Sequence, residues 1–455
     1  MEYDGSGEYA MGSRRELFVD GFLVDDLKGA SLRLNHPVPK ERAITFDMPW
    51  EGNTSAYVSV FRDGKRFRMY YRGSNYDWEE REEMHSVVCY AESPDGKAWT
   101  KPDLGLYEFG GSKSNNIVWT GVGTHNFAAF RDTKPGCAKE ARYKALGGTI
   151  KEGGLMAFQS HDGIHWELMQ TEPVITKGKL DSQNLALWDS VAGLYREYHR
   201  GSRDGFRDIM TSTSDDFLRW TEPRFLDFGD APREHLYTNA VIPYFRAPHL
   251  LLGFPKRFLP KRKKVADHPL PGVSDGVLMS SRDGYHWHRW FEAFVRPGVQ
   301  RERWWERNNM VAWGIVPTRG DIDEDQEEIS LYANEGYYET GTGLRRHTIR
   351  LDGFVSLHTG DEFGEALTRI LTFAGDELLI NYSTSAAGSI KAEVTDKEGR
   401  PVPGFEMERC AEIYGDEIEG TVSWDSDREL RELCGKPVRL RFMMRDADLF
   451  SFRFV

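Results

Sequence analysis

Only four cysteines occur in 455 residues: Cys89, Cys137, Cys410 and Cys434. None forms a CxxC or a Cys/His pair, so the spacing expected of a zinc site is missing. Cys410 and Cys434 share the C-terminal region and could pair, although buried free thiols are the simpler expectation. No run is apolar enough to span a bilayer, and no membrane partner is expected. An excess of positive charge is absent as well. The chain has 72 acidic against 59 basic residues, a net charge of -13, which argues against a general nucleic-acid binder. Long Ala/Leu/Glu/Lys stretches are missing. In their place stand 13% aromatics, 45 glycines and 20 prolines, a mixture that favours strands and turns over helices. The length calls for two domains. Residues 1–13 contain no apolar signal core and are expected to be a leader outside the fold, with a periplasmic, secreted or cytoplasmic setting left open.

The strongest feature present is an internal repeat. Ser93-Pro94-Asp95-Gly96-Lys97-Ala98-Trp99 returns as Ser160-His161-Asp162-Gly163-Ile164-His165-Trp166. It returns again as Ser214-Asp215-Asp216-Phe217-Leu218-Arg219-Trp220 and as Ser281-Arg282-Asp283-Gly284-Tyr285-His286-Trp287. The pattern S-x-D-G-x-x-W describes a tight hairpin in which Asp and Gly make the turn and Trp covers the outer strands. The copies lie roughly 55 to 70 residues apart, the spacing of propeller blades with elaborated loops. Each copy follows a strand-like run and, before that, a strand pair. Met310 to Val316, Ile329 to Ala333 and Leu344 to Leu357 supply a fifth unit without the hairpin. The expected fold is all-β: a five-bladed β-propeller over residues 14–357, followed by a β-sandwich over 358–455. In the latter, Ile390–Val394, Val438–Phe442 and Phe450–Phe454 alternate apolar and polar residues.

If each hairpin joins strands 3 and 4 on the bottom face, the loops leading into the inner strands and those leaving strand 2 collect on the top face around one funnel. These loops carry Glu51 and Asn53, His125 and Asn126, Asp181 with Gln183 and Asn184, Glu234 with His235, and Glu306 with Arg307. Arg72, Arg200, Arg257 and Glu335 leave the second strands. An acidic, aromatic-rich chain with such a funnel suits sugars, whose C–H faces pack on rings while their hydroxyls need polar partners. Cleavage of a glycosidic bond needs one carboxyl held neutral as acid and one kept ionised as base or nucleophile. Asp181 and Glu234 are the expected pair, with Glu51 third. Asn53, Arg72, His125, Asn126, Gln183, Arg200, His235, Arg257, Trp305, Arg307 and Glu335 are the expected substrate contacts. The arginines suit a uronate, sulfate or other anionic group, or else neutralise the funnel's own acids. No cofactor or metal ligand set is expected: Asp321–Glu328 lacks the spacing of a calcium loop and reads as a solvated turn.

Trp50-Glu-Gly-Asn53, Asp63-Gly64 and Arg68-Met-Tyr-Tyr71 resemble the first blade of the five-bladed glycoside hydrolases of the invertase/levanase type, and more loosely of the arabinanase-like propellers. The chain is also similar to uncharacterised bacterial glycosidase-like proteins. This resemblance implies a propeller trailed by a β-sandwich, hydrolysis of a terminal sugar, and Asp181 in the blade-three acid position. The Asn-Asp-Pro-Asn motif of the first blade is absent. Arg131-Asp132 is similar to the second-blade Arg-Asp-Pro motif but follows its inner strand, which leaves His125 or Asn126 in the funnel position. A non-catalytic glycan-binding propeller, or a propeller phosphorylase or lyase, is the alternative.

Overall fold

The computed structural model describes residues 7–455; the first six residues of the expected leader lie outside the described residues. The chain divides into two compact units. One contains Pro37–Tyr244 and Pro248–Ile349, and the other gathers the N-terminal residues up to His36, Phe245–Ala247 and Arg350–Val455.

The first unit is a five-bladed β-propeller, built from four sheets of four strands and one of six. Blade one pairs Ala56–Asp63, Arg66–Asp77, Glu82–Ser93 and Ile117–Trp119, and blade two Ala128–Arg131, Tyr143–Gly147, Met156–Ser160 and Glu167–Leu168. Blade three pairs Leu185–Asp189, Leu194–Arg203, Phe206–Ser214 and Arg224–Phe225. Blade four contains Ile242–Tyr244, Ala247–Gly253, Val273–Ser281 and His288–Val295, and is widened by the short pair His235–Leu236 and Lys256–Leu259. In blade five, Val316–Arg319, Glu327–Glu335 and Gly343–Arg350 are completed by Val38–Thr45 from the start of the chain. That exchange closes the ring and removes the free edge a last blade would expose.

The repeated hairpin is held in the same way each time. Ser160 Oγ accepts the Gly163 amide at 2.9 Å, and Asp162 Oδ1 accepts those of Ile164 and His165 at 2.8 and 2.9 Å. Ser93/Asp95, Ser214/Asp216 and Ser281/Asp283 repeat these bonds. The third residue after Ser has φ near +75° in every copy, including Phe217 at 71°. A phenylalanine pays a steric cost there that glycine avoids. Phe217 is nevertheless fully buried, with its ring on Phe130, Tyr195 and Trp220. Hairpins also tie blade to blade: Tyr70 donates to Gly163 O at 2.7 Å, Tyr198 to Gly284 O at 3.0 Å, and Tyr332 to Gly96 O.

Side chains of one blade also bond to backbone carbonyls of another. The Gln183 amide donates to Val58 O at 3.0 Å, and the Trp313 indole to Val241 O at 2.8 Å. Blade five meets blade one so closely here that a Cβ on Gly314, whose φ is +121°, would sit 1.8 Å from Val60 O. Glycine is required by both the conformation and the approach.

The second unit is a network of ten strands around one apolar core. Its long strands Leu378–Asp396 and Val438–Phe454 pair along most of their length. The core includes Phe18, Leu378, Ile380, Leu440, Phe442 and Phe452. Its boundary departs from the sequence expectation because the N-terminal strands belong to it. Val24–Lys28 pairs with Gly364–Thr368, and Ser31–Leu34 with Val355–Thr359. Tyr9–Gly12, expected in the leader, pairs in parallel with Leu371–Phe373. Cys410 and Cys434 are both free thiols, Cys410 buried and Cys434 exposed.

Candidate functional site

Four blades send cations towards a cluster of buried tyrosines. Tyr57, the second residue of the first strand of blade one, packs with Tyr237, Met310 and Tyr337, and Tyr338 lies against them. Tyr237 sits between the two strands of the short pair that widens blade four. Four cations lie within 6.0 Å of its ring centre: Lys256 Nζ at 3.9 Å and the guanidinium carbons of Arg200, Arg207 and Arg307 at 4.6, 5.5 and 6.0 Å. Arg72, from strand 2 of blade one, covers Tyr57 at 4.8 Å and donates to Tyr337 Oη at 3.0 Å and to Thr54 O at 2.7 Å. Arg307 donates to the same Tyr337 oxygen at 3.0 Å. Tyr57 and Arg307 have positive φ values of 53° and 64°, a strained conformation for such side chains that concentrates at functional sites.

Three carboxylates accompany these five cations. Asp181 is ion-paired with Arg200, and its side chain is 61% exposed, so it is the acid of this group most open to a ligand. Burial raises its carboxyl, but Arg200 outweighs burial and holds it below the usual range. Glu83 lies 3.7 Å from His125 and 4.0 Å from Arg72. Burial opposes its ionisation, yet His125 and Arg72 pull it down to about 2. Glu306 accepts a weak bond from Tyr338 Oη at 3.4 Å and stands 3.9 Å from Arg307 Nε. The cations therefore outnumber the acids. The Nε atoms of Arg72 and Arg307 are buried with no hydrogen-bond partner among the described residues, and none of the ion pairs found among them involves Lys256. Buried cations left so poorly neutralised are costly, and an anion arriving among them would relieve that cost.

Lys256 is itself pushed down by burial, with Tyr237 opposing the change. Tyr237 moves the other way from an ordinary buried phenol. Burial raises it, but Arg307, Lys256 and Arg200 outweigh burial and hold it below the usual phenol range. Tyr57, which donates to Asp181 O at 3.3 Å, is raised by burial and by its neighbour Tyr237.

Of the residues expected from the sequence, Asp181, Arg72, Arg200, His125 and Arg307 are brought together here. Others are directed elsewhere. Glu51 is buried apart from these residues, accepting from Tyr71 Oη at 2.5 Å, Lys101 Nζ at 2.7 Å and the Met48 amide at 2.9 Å. Glu234 turns to the outer strand of blade four, paired with Arg289 and, at 3.3 Å, with Arg257. It lines a separate cleft with Arg203, Asp208, Phe225 and Phe228. Arg257 faces the same way and binds Asp275 through two bonds of 2.9 and 2.7 Å. Lys256, one position earlier, is the residue that faces the tyrosines. A one-residue step along a strand changes the face. His235 accepts the Arg207 amide at 3.2 Å and packs on Phe206.

The amides serve the backbone. Asn126 donates to Leu180 O, Ser182 O and Gly148 O and accepts the Gly148 amide, so its capacity is spent. Asn53 pins Tyr76 from both sides, and Gln183 donates to Val58 O as described above. Trp305 is no exposed platform: it is 1% exposed, bonded to Tyr337 O at 2.6 Å and stacked on His268. Glu335 is enclosed by Arg42 and Arg345. In the acidic turn of blade five, Asp321 pairs with Lys40, Lys97 and Arg346. Tyr57, Tyr237, Tyr337, Lys256 and Glu83 were not among the expected residues. The only sequence signal for Lys256 was its place beside Arg257.

No protein-family model matches the chain, and no curated protein matches it. Among solved structures, the chain is similar to a family 32 β-fructofuranosidase of Bombyx mori, with 10% identity, a TM-score of 0.45 and coverage of 91% of this chain and 94% of that one. It is similar to a family 43 arabinoxylan arabinofuranohydrolase of Bacillus subtilis in complex with cellotetraose, with 10% identity, a TM-score of 0.43 and coverage of 90% and 96%. It is also similar to an N-acetylgalactosamine deacetylase of F. plautii in complex with blood group B trisaccharide, with 12% identity, a TM-score of 0.44 and coverage of 70% and 96%.

Proposed function

We propose that this chain is a glycoside hydrolase that releases a terminal sugar bearing an anionic group, and that the reaction takes place among the tyrosines and cations of the propeller. The observation that carries this reading is the imbalance of charge: Arg72, Arg200, Arg207, Lys256 and Arg307 surround three tyrosines, and among the described residues the acids beside them are Glu83, Asp181 and Glu306. Planar guanidinium groups bind carboxylate and sulfate oxygens through paired bonds. Tyrosine rings offer a face to sugar C–H groups and a hydroxyl to their oxygens. Asp181, ionised and open, is suited to stabilise positive charge developing on the sugar ring, and Glu306 to exchange a proton with the leaving oxygen.

The test is a panel of aryl glycosides and oligosaccharides in which neutral sugars are matched with their uronic and sulfated counterparts. Turnover of charged substrates by the wild type, lost in Asp181→Asn, is the expected result. Turnover that survives Asp181→Asn would remove Asp181 from the reaction. Binding without turnover would favour a glycan-binding propeller.

A further inference from the structure

The cleft that Glu234 lines lies outside the reaction proposed above, and none of its lining residues belongs to the tyrosine and cation cluster. One wall is the outer strand of blade three with the segment that follows it. The other is the repeated hairpin and the outer strand of blade four, and the volume between them is about 320 Å³. That is the small end of the roughly 300 to 1,000 Å³ of small-molecule sites, a size suited to a mono- or disaccharide.

The cleft is preformed. The Asp227 amide donates to Tyr285 O at 3.0 Å, and the Asp227 carbonyl accepts the Trp287 amide at 2.8 Å, which ties the two walls together. The Asp227 carboxylate accepts the Gly229 amide at 2.8 Å, and Arg289 donates to Pro232 O at 2.7 Å. A ligand therefore meets walls that need little ordering.

Charge here is balanced, unlike the charge of the tyrosine cluster. Arg203 pairs with Asp208 at 2.7 Å, Arg289 with Glu234, and Arg233 with Asp204. The remaining lining carboxylate, Asp227, is 46% exposed and stands 3.8 Å from His286 Nε2. Such a site offers a charged ligand little net attraction. Its fixed oxygens and N–H groups suit a neutral ligand whose own groups both donate and accept, as sugar hydroxyls do. Arg203 keeps a buried donor, Nε, with no partner among the described residues. Half-buried rings complete the match. Phe225, Phe228 and Tyr285 line the cleft, and guanidiniums hold two of them in place, Arg203 on Phe225 at 4.8 Å and Arg224 on Tyr285 at 3.7 Å.

We propose that this cleft is a second binding site, for a neutral sugar unit, separate from the site of reaction. Asp227 accepts from the sugar's hydroxyls, Arg203 donates to them, and Phe228 and Tyr285 pack on its C–H face. The site does not depend on hydrolysis, since a glycan-binding propeller would use it equally. In a hydrolase it would keep the enzyme on a glycan whose charged end is the one cleaved, and that use alone rests on the reading above.

The experiment is a titration by saturation-transfer NMR with the methyl glycosides of glucose, galactose, mannose, xylose and arabinose, and with glucuronate and glutamate as charged comparators. It compares the wild type, Asp227→Asn, Tyr285→Ala and Arg307→Gln, each shown by thermal melts to be folded; should one cleft variant fail to fold, the other carries the test. At least one neutral glycoside is expected to bind the wild type with a Kd of about a millimolar, little changed by added salt. Binding should weaken about tenfold or more in Asp227→Asn and Tyr285→Ala and persist in Arg307→Gln. Absence of binding by every neutral glycoside would overturn the proposal. So would binding of the charged comparators alone, or a loss confined to Arg307→Gln, which would put the sugar in the tyrosine cluster. Neutral-sugar binding through Tyr285 in a protein that cleaves no glycoside would remove the hydrolase reading and leave this site standing. Cleavage without binding in the cleft would do the reverse.

Discussion

Gly314→Ala should be among the most damaging single-methyl additions in the propeller, and the structure indicates why. The new Cβ would lie 1.8 Å from Val60 O, a backbone atom that no rotamer change can move. At a φ of +121° an alanine is strained even in open space, at a cost of about 1 to 3 kcal/mol. Relief requires the inner strands of blades one and five to part. That breaks the bonds from the Val60 amide to Trp313 O at 2.7 Å and from the Trp313 amide to Val58 O at 2.8 Å, worth about 1 kcal/mol each. The expected loss is therefore about 3 to 5 kcal/mol. Gly205→Ala is the matched control, since Gly205 also has a positive φ, +82°, but nothing within 4 Å of its Cβ position; its cost should stay near 1 kcal/mol. Urea unfolding followed by tryptophan fluorescence measures both. Equal losses would refute the reasoning and show that the blades do not meet in this register.

Other consequences follow from the same structure. Ser160→Ala should cost about 1 kcal/mol by orphaning the Gly163 amide, and Phe217→Ala about 3 to 5 kcal/mol by emptying its buried site; thermal melts read both. His347 is buried beside Arg303, and burial first, then that arginine, lowers it to about 3. Its folded pKa lies below the unfolded value of about 6.5, so the unfolded chain binds the extra proton between them. This contribution to stability is complete above about pH 6.5 and falls with a slope of up to about 1.4 kcal/mol per unit towards pH 3. His347→Gln should flatten denaturation midpoints measured across that window. Glu234→Gln should leave turnover within about threefold, because its work is to neutralise Arg289, while lowering stability by about 1 to 3 kcal/mol; paired kinetic and unfolding measurements separate the two.

What could be read from the sequence was local. The hairpins announce themselves because Ser, Asp and Gly act on amides within three residues, and four such turns imply a ring. The strand that closes it was hidden: Val38–Thr45 pairs with Gly343–Arg350 across some three hundred residues of sequence, and nothing local marks the partner. The expected residues were legible in part and blurred at the level of side chains. Asp181, Arg72 and Arg200 lie near one another, with Arg72 and Arg200 inside their second strands and not in loops leaving them. Glu51 and Glu234 occupy leading loops, but a loop position leaves open which way the side chain turns, and arginines or a lysine claimed both. Arg257 for Lys256 is the one-residue ambiguity inherent in a strand. Tyr57, Tyr237 and Tyr337 were invisible because a buried tyrosine reads as core in a chain so rich in aromatics. Their difference comes from the cations delivered by other blades.

The proposed role of these cations is to select a negative charge on the substrate. It is tested most directly by comparing kcat/KM for a charged aryl glycoside and its neutral counterpart in the wild type and in Arg307→Gln. The expected result is a wild-type preference for the charged sugar that falls about tenfold or more in the variant, through loss of the charged substrate's rate. A wild type that prefers the neutral sugar, or a preference unchanged by the substitution, would contradict it.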